Sequence, residues 1–393
     1  MECTTSTYNK KIIKYVATVE EKALEQANNV LHLPSLVTDV ILLPDVHVGF
    51  GMPIGCVMGL YKAISPNAVG KDIACSVSAV KTNLNINDDK FNLDKIKQIM
   101  KHIRLNIPLG VGGRRKQPLE THDSLFSVLD AGNYPVSKSL LRDSKCKIGT
   151  LGSGNHFIEF QKNSQGYLWL MIHSGSRNLG AEVANHYDKL AQAHCKRTGY
   201  GKMAEDKLSC LPTDSQAGKD YIDEMRFCEQ YAQENHRIMK NIIKAAFLNE
   251  FYWVSFTEEL YTKHNYAEEI EGNVWVHRKG AVKAENSLVI IPGSQGTASY
   301  ICKGKNNPSS LYSCSHGAGR LMSRTKAKDE LVLEDEIRKM DEKGILHALM
   351  GKKQLDEAPS AYKDIDMVIQ LQVDAEIIEV VEKLEPIACI KGD

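Results

Sequence analysis

The sequence lacks the features that mark secreted and membrane-embedded proteins. No apolar run approaches the roughly 20 residues that a membrane-spanning helix needs. The ten cysteines include no Cys-x-x-Cys pair, and their scatter in a chain of this length favours reduced thiols over a disulfide framework. The first residues do not form a basic segment followed by an apolar one, so no signal peptide is predicted. These absences predict a cytoplasmic protein that contacts no membrane.

The sequence also has no net charge, because 49 lysines and arginines balance 49 aspartates and glutamates. A neutral chain is not expected to coat nucleic acids non-specifically, although a local basic groove stays compatible with this balance. No tandem repeat, long low-complexity tract or convincing linker interrupts the chain. We therefore expect residues 1–393 to form a single domain in which strands and helices are intermixed.

Short apolar runs end repeatedly in polar, glycine-containing turns, which is how many scaffolds present reactive side chains. The predicted strands are 37–43, 168–172, 273–276 and 287–291. Apolar or small residues alternate at spacings of four and three through 221–246 and predict a long helix. A second, more charged helix is predicted over 331–350, and a loop is predicted within 197–219. The fold class is therefore predicted as α+β, with active-site turns at strand ends and flanking helices.

Two turns carry side chains that suit a metal or a phosphate. The turn 70–75 places Asp72 and Cys75 three residues apart, and a thiolate prefers soft or borderline metals over magnesium. A buried structural cysteine is nevertheless the commoner role for a lone thiol. In the segment 149–160, three glycines that let backbone amides approach an anion precede His156. The second pattern favours a site for phosphate and metal.

His316 is the candidate nucleophile, because small residues surround it in the segment 313–320 (Ser-Cys-Ser-His-Gly-Ala-Gly-Arg). A histidine that attacks phosphorus must let a bulky phosphorylated group approach, whereas a packed structural histidine has no such need. Arg320 and Arg324 are predicted to share a helix face and neutralise phosphate charge. Arg177, in another glycine-containing turn, could bind a phosphate with two hydrogen bonds. These residues predict a metal-dependent enzyme that acts on phosphate groups.

Ten motifs, taken together and in order, resemble those of the RtcB-type RNA ligase family. They are 44–47, 70–75, 149–159, 173–177, 264–266, 278–281, 291–297, 313–324, 361–365 and 390–392. Because they run from about residue 40 to the end, the resemblance covers nearly the whole chain. It implies a single mixed α+β domain of the RtcB type with the site in a cleft.

The resemblance also implies a reaction. Such ligases join an RNA 3′-phosphate or 2′,3′-cyclic phosphate end to a 5′-hydroxyl end, in tRNA splicing or RNA repair, and they use GTP and manganese. A histidine attacks the α-phosphate of GTP, the GMP moves to the RNA 3′-phosphate, and the 5′-hydroxyl displaces it. In this sequence His316 would carry the GMP. The implied partners are RNA with broken ends, GTP and an activating accessory protein.

By the same resemblance, five residues would hold two manganese ions with Cys75 shared between them. These ligands are Asp72, Cys75, His156, His173 and His264. Asp45 would orient the metal cluster from behind, and Arg177, Arg320 and Arg324 would hold RNA phosphates. The residues implied to bind the guanine nucleotide are Asn155, Phe157, Ile158, Glu159, Asn265, Pro292, Gly293, Ser294, Gln295, Ser299, Gly317, Ala318, Gly319, Tyr362 and Lys391.

Four residues depart from the family pattern without removing an implied ligand or the nucleophile. Lys71 stands where a small or apolar residue is usual, Ser76 where glycine is common, Gln295 where methionine is common, and His236 where arginine is frequent. Activity is therefore expected to persist. Lys71 and Ser76 flank implied metal ligands and could alter metal affinity or the choice of RNA end.

Two other functions compete with ligation. A metal-dependent phosphoesterase would open cyclic phosphates without joining ends, but it would have no use for the guanine contacts implied at Tyr362 and Lys391. An RNA-binding subunit with a vestigial site is compatible with the basic clusters 114–116 and 303–305. The intact set of implied ligands argues against such decay.

Overall fold

Strands make up the framework of the computed structural model, which describes residues 10–118 and 123–392. In chain order they are β1 (Ile12–Lys14), β2 (Val40–Phe50), β3 (Met52–Tyr61), β4 (Ala63–Ile64), β5 (Ser76–Asn85), β6 (Phe157–Lys162), β7 (Tyr167–Ser174), β8 (Leu211–Pro212), β9 (Phe256–Lys263), β10 (Tyr266–Ile270), β11 (Val274–Lys279), β12 (Ala281–Lys283), β13 (Leu288–Ile291), β14 (Ser299–Gly304), β15 (Ser313–Ser315) and β16 (Ile378–Lys391).

Helices connect and flank these strands, so the predicted α+β class is confirmed. They are α1 (Glu21–Leu31), α2 (Pro66–Val69), α3 (Leu93–Asn106), α4 (Asp123–Ala131), α5 (Pro135–Ser139), α6 (Leu141–Lys147), α7 (Arg177–Arg197), α8 (Gly201–Glu205), α9 (Gln216–Glu250), α10 (Arg324–Glu330), α11 (Leu333–Glu342) and α12 (Ile365–Asp374), with short 3₁₀ turns at Pro308–Ser310, Lys352–Glu357 and Pro359–Ala361. Within the described ranges, none of the helices combines the length and apolar composition needed to cross a lipid bilayer.

Two large sheets organise the molecule. One has the strand order β1-β2-β3-β11-β10 and the other β13-β14-β16-β6-β7-β5-β9. In the second sheet, alternate residues of β7 point to opposite faces. Leu170 packs with Ile99 of α3 and Ile243 of α9, whereas Trp169 packs with Ile290 of β13. The sheet therefore curls over one apolar core while two helices cover its other face.

The strand predictions 168–172, 273–276 and 287–291 are confirmed in β7, β11 and β13. The predicted end of the first strand at residue 43 is wrong, because β2 begins at Val40 and continues to Phe50. Its pairing with β3 is irregular between Leu42 and His47. Such an irregularity accommodates Pro44, which has no backbone N–H to donate.

The long helix predicted over 221–246 is confirmed within α9, which is 35 residues long. The prediction of a helix throughout 331–350 is wrong in extent, because α11 ends at Glu342 and Gly344 adopts a φ of +67°. A residue with positive φ ends a helix readily when it is glycine. The predicted loop at 197–219 also contains the short helix α8, and α9 begins inside it.

Candidate active site

The ends of several elements meet around a cavity of 670 Å³. Cys75 lies just before β5, His173 lies in β7, His264 lies between β9 and β10, and His316 follows β15. All four side chains line the cavity. Residues far apart in the sequence therefore come together in one concave site, which is the usual form of an active site.

Two groups of three donor atoms share Cys75. They are Cys75, His173 and His264, and Asp72, Cys75 and His156, and the donor atoms of each group lie within 4.8 Å of one another. The Cys75 Sγ is 3.2 Å from Nε2 of His173 and 3.5 Å from Nε2 of His156. Nε2 of His156 is 3.0 Å from the Asp72 carboxylate. The structure thus brings all five predicted metal ligands into one cluster.

The imidazoles direct Nε2 towards this cluster. The backbone carbonyls of Leu151 and Asn155 lie 2.9 Å and 3.1 Å from Nδ1 of His156 and His173, respectively. A proton on each Nδ1 leaves the Nε2 lone pair available to a metal. Burial, reinforced by neighbouring imidazoles, lowers the pKa of His173 and His264 well below the usual range. Both rings are therefore neutral, which is the form that binds metal ions.

The Cys75 thiol requires a nearby cation in order to ionise. Burial, reinforced by the charge of Asp72, raises the pKa of Cys75 well above its usual range. A metal ion would reverse this effect, because it stabilises a coordinating thiolate. A thiolate, a carboxylate and three neutral imidazoles suit a transition metal better than magnesium. The donor set therefore fits a metal centre of that class.

Asp45 holds the ring of His316. Its buried Oδ2 lies 2.7 Å from Nδ1 of His316 and accepts a hydrogen bond from the His316 amide at 3.1 Å. Burial alone would raise the pKa of Asp45, but the hydrogen bond and charge of His316 lower it below the usual range. The ring centroids of His316 and His264 are 4.8 Å apart. Asp45 therefore contacts the candidate nucleophile and not one of the predicted metal ligands.

Small residues near His316 have a steric cause. Gly319 has a φ of +74°, and a Cβ at this position would collide with the Asp45 carbonyl. Gly280 has a φ of +59°, and its Cβ would lie 3.0 Å from Cε1 of His316 and collide with Ile54. Larger residues at either position would displace the segment that carries His316.

A buried carboxylate, Glu357, gathers cations on another wall of the cavity. It pairs with Lys391 at 3.0 Å, Arg320 at 3.3 Å and Arg324, and it accepts a hydrogen bond from the Tyr362 hydroxyl. Burial alone would raise the pKa of Glu357, but Lys391, Arg324 and Tyr362 lower it to about 2. The sequence analysis missed Glu357, because nothing in its local pattern indicates that distant cations converge on it.

The prediction that Arg320 and Arg324 share a helix face is wrong. Arg324 is the first residue of α10, which Ser323 caps, and Arg320 lies before the helix in an antiparallel bridge with Tyr362. Both guanidinium groups nevertheless reach Asp356. Arg320 donates to its backbone carbonyl at 2.6 Å, and Arg324 donates to its carboxylate at 2.9 Å. The two arginines converge on the 3₁₀ turn that contains Asp356 and not through helical spacing.

Most residues predicted to bind the nucleotide line the cavity. They are Asn155, Phe157, Asn265, Pro292, Gly293, Ser294, Gln295, Gly317, Ala318, Gly319, Tyr362 and Lys391. Ile158 does not, because its side chain lies in the apolar core beneath β6. Glu159 and Ser299 are buried behind the wall, where Gln161 donates to both, at 2.7 Å and 2.9 Å. Ser299 also accepts a hydrogen bond from the Gly293 amide at 3.2 Å and so supports the turn at 292–295.

Arg177 lies behind the metal cluster and is not a lining residue of the cavity. Its Nε donates to the Thr150 hydroxyl at 3.1 Å, and one terminal nitrogen is 3.3 Å from Nδ1 of His156. The guanidinium also packs directly against Gly152. In this structure Arg177 therefore supports the segment that presents His156.

Ser76 and His236 contact each other beneath Cys75. Ser76, next to Cys75, has its hydroxyl 3.2 Å from Nε2 of His236, and the Ser78 hydroxyl is 2.8 Å from Nδ1 of the same ring. All three polar residues are buried. Ser76 and His236 therefore form one hydrogen-bonded unit beneath the segment that carries Cys75.

Asn235 of α9 is a second residue whose role the sequence analysis missed. Its side-chain oxygen accepts hydrogen bonds from the amides of Gly149 at 2.7 Å and Thr150 at 3.0 Å, and its nitrogen donates to the Ser174 hydroxyl at 3.1 Å. Asn235 lies on the buried face of α9, at one of the positions whose spacing of four and three predicted the helix over 221–246. That spacing does not indicate that the amide holds the loop leading to His156.

Comparison with known proteins identifies similar chains along nearly the whole length. A family model described as the tRNA-splicing ligase RtcB matches residues 26–139 and 128–392. The RNA-splicing ligase RtcB of Escherichia coli (strain K12) is 35% identical over 95% of this chain and 95% of its own length. The tRNA-splicing ligases RtcB of Nanoarchaeum equitans and Archaeoglobus fulgidus are 32% and 30% identical, over 95% and 96% of this chain and 92% and 93% of their own.

Proposed function

The chain belongs to the RtcB family, and from this premise we propose that it is a GTP-dependent RNA ligase. It joins RNA 3′-phosphate or 2′,3′-cyclic phosphate ends to 5′-hydroxyl ends, in tRNA splicing or RNA repair. The observation that carries this proposal is the position of His316. Its ring is held by Asp45 and lies beside a cluster of five side chains whose donor atoms suit a metal ion.

Asp45 prepares His316 for attack on phosphorus. The ionised carboxylate accepts a hydrogen bond from the N–H at Nδ1, and Nε2 makes no hydrogen bond with any residue in the described ranges. The free lone pair on Nε2 attacks the α-phosphorus of GTP, the bond to the β-phosphate oxygen breaks, and pyrophosphate leaves. A phosphoramidate bond then joins His316 to GMP.

A 2′,3′-cyclic phosphate end is first opened by water, which breaks the bond from phosphorus to the 2′-oxygen and leaves a 3′-phosphate and a 2′-hydroxyl. Two transfers then complete the reaction. An oxygen of the RNA 3′-phosphate attacks the phosphorus on His316 and breaks the P–N bond, which gives an RNA-(3′)pp(5′)G end. The 5′-hydroxyl of the second RNA then attacks the 3′-phosphate, loses its proton, and releases GMP. Asp72, Cys75, His156, His173 and His264 would hold two manganese ions, which supply positive charge for the phosphate oxygens.

The remaining cavity residues suit the guanine nucleotide and RNA phosphates. Tyr362 offers a ring for base stacking, and Lys391 offers a donor for the base edge, while Glu159 supports this wall from the interior through Gln161. Arg320 and Arg324 can exchange Glu357 for phosphate oxygens, because a guanidinium binds both anions through similar hydrogen bonds. Arg177, which lies outside the cavity lining, contacts His156 and positions its ring.

Labelled GTP tests the first step directly. Incubation of the protein with manganese and GTP labelled on its α-phosphate is expected to label the protein, and His316→Ala is expected to abolish labelling. His102→Ala, on α3 and away from the cavity lining, is the matched control and should label normally. Absence of label in the unchanged protein would refute the proposal. Hydrolysis of a cyclic phosphate without joining, equally with and without GTP, would favour a phosphoesterase.

A further inference from the structure

The mouth of the cavity carries an excess of positive charge. Among the described residues that line it, the acids are Glu20 and Asp72, and Asp72 belongs to the metal cluster. The lysines and arginines on the same lining are Lys22, Lys71, Lys279, Arg320, Arg324 and Lys391. Arg320, Arg324 and Lys391 share the single carboxylate of Glu357, so the lining keeps a net positive charge that can attract a further anion.

Phe50 is an exposed aromatic residue on a fixed backbone at this mouth. It ends β2, lines the cavity and is 45% exposed. Its carbonyl accepts a hydrogen bond from the buried Lys279 ammonium at 2.6 Å. The next residue, Gly51, has a φ of +75° and packs against the Lys207 carbonyl. The backbone that carries the ring is therefore held in place before any ligand binds, which lowers the entropic cost of stacking on the ring.

Lys71 adds a cation to this ring. Its ammonium lies 5.1 Å from the centroid of Phe50, and the side chain is exposed. Lys71 directly precedes Asp72, so the pair adjoins the metal cluster along the chain. An aromatic face next to a lysine matches the two repeating parts of a single-stranded nucleic acid, which are a base and a phosphate.

We propose that Phe50 and Lys71 form a binding element for the RNA end, in which a terminal base stacks on the ring and the ammonium binds the adjoining phosphate. This inference rests on the proposed ligase function and adds a contact to RNA that none of the nucleotide residues supplies.

Direct binding tests the element without GTP. Two short single-stranded RNAs are used, one with a 3′-phosphate and a blocked 5′ end and one with a free 5′-hydroxyl, and fluorescence anisotropy is measured at several salt concentrations. Phe50→Ala and Phe50→Leu are expected to raise the Kd for at least one RNA by roughly 5- to 100-fold, while Phe50→Tyr binds normally. Lys71→Ala should lower the slope of log Kd against log salt by about 0.7, and Lys71→Arg should restore it. The RNA that is affected identifies the end that is bound.

The chain contains a matched control pair. Tyr61 is 46% exposed at the end of β3, Lys62 lies 5.3 Å from its ring, and neither lines the cavity. Tyr61→Ala and Lys62→Ala should leave the Kd for both RNAs unchanged. The proposal would be overturned if the Phe50 variants bound RNA normally, or if Phe50→Leu alone did so. It would also be overturned if the control variants lost as much affinity as the Phe50 variants. The ligase proposal fails separately, if the unchanged protein takes up no GMP.

Discussion

Asp45 determines which nitrogen of His316 can react. An asparagine keeps the shape of the side chain but can donate to Nδ1, and the proton on the ring would then lie on Nε2. We predict that Asp45→Asn lowers the rate of GMP attachment by about 10²- to 10⁴-fold. The measurement is single-turnover labelling with α-phosphate-labelled GTP. Normal binding of metal in this variant would show that the fold is intact, whereas a normal labelling rate would refute the role assigned to Asp45.

Glu159 is predicted to make stability depend on pH. Burial raises its pKa from 4.5 to about 7, so the folded protein holds this proton more tightly than the unfolded chain does. The stabilisation is complete below about pH 4.5 and is lost as the pH rises through 7. The free energy of unfolding falls by up to roughly 3 kcal/mol over this range. Glu159→Gln cannot titrate and should lack this part of the pH dependence.

The measurement for Glu159 is the free energy of unfolding of both proteins between pH 4.5 and pH 8, without nucleotide. Other groups titrate in both proteins, so the difference between the two curves isolates Glu159. The unchanged protein should lose stability relative to Glu159→Gln as the pH rises. Parallel curves would show that the carboxyl is not held protonated by burial.

At the residue level, local patterns predicted side chains that share an unusual context. Asp72, Cys75 and His156 lie in glycine-containing turns, and the structure brings them together. The partner of Asp45 and the cations around Glu357 could not be predicted. These contacts join residues that lie far apart in the sequence, and a local pattern carries no information on which distant side chain will face it.

At the level of elements, α9 supports the loop before His156 through Asn235. Asn235→Ala would leave the buried amides of Gly149 and Thr150 without a side-chain acceptor. We predict a loss of about 2 to 4 kcal/mol in the free energy of unfolding and weaker metal binding. Urea unfolding and metal titration measure the two effects. Asn241→Ala, an exposed asparagine on the same helix, is the control and should change neither.

Helical periodicity predicted α9 well because a long amphipathic face dominates its sequence. The end of α11 was harder to predict, because charged residues continue beyond Glu342 and only Gly344 marks the turn. Strand β2 was predicted to stop at Pro44, since proline usually ends a strand. An irregular stretch in the pairing with β3 allows the strand to pass this residue, and such irregularities depend on the neighbouring strand.

At the level of the whole molecule, the shared thiol predicts how metal binding fails. Cys75 belongs to both donor groups, whereas His156 and His264 belong to one each. Cys75→Ala is therefore expected to lose both manganese ions. His156→Ala and His264→Ala are each expected to lose about one ion. Metal analysis after dialysis counts the ions. Cys302→Ala removes a buried thiol outside the cluster and should retain both.

The same variants should differ in thermal stability, because a ligand that binds only the folded protein raises its melting temperature. Manganese is expected to raise the melting temperature of the unchanged protein and of Cys302→Ala, and to leave that of Cys75→Ala nearly unchanged. An equal rise in Cys75→Ala would show that manganese binds elsewhere.

Strand β16 lies between β14 and β6 in the seven-stranded sheet, although it follows both in the chain. During synthesis on the ribosome, the cluster residues up to His264 emerge well before β16 does. A chain that stops before β16 would therefore have an open slot in the middle of the sheet, with two unpaired strand edges, and would lack Lys391. Exposed edges of this kind invite aggregation and recognition by chaperones. The topology thus makes completion of the seven-stranded sheet depend on the last strand of the chain.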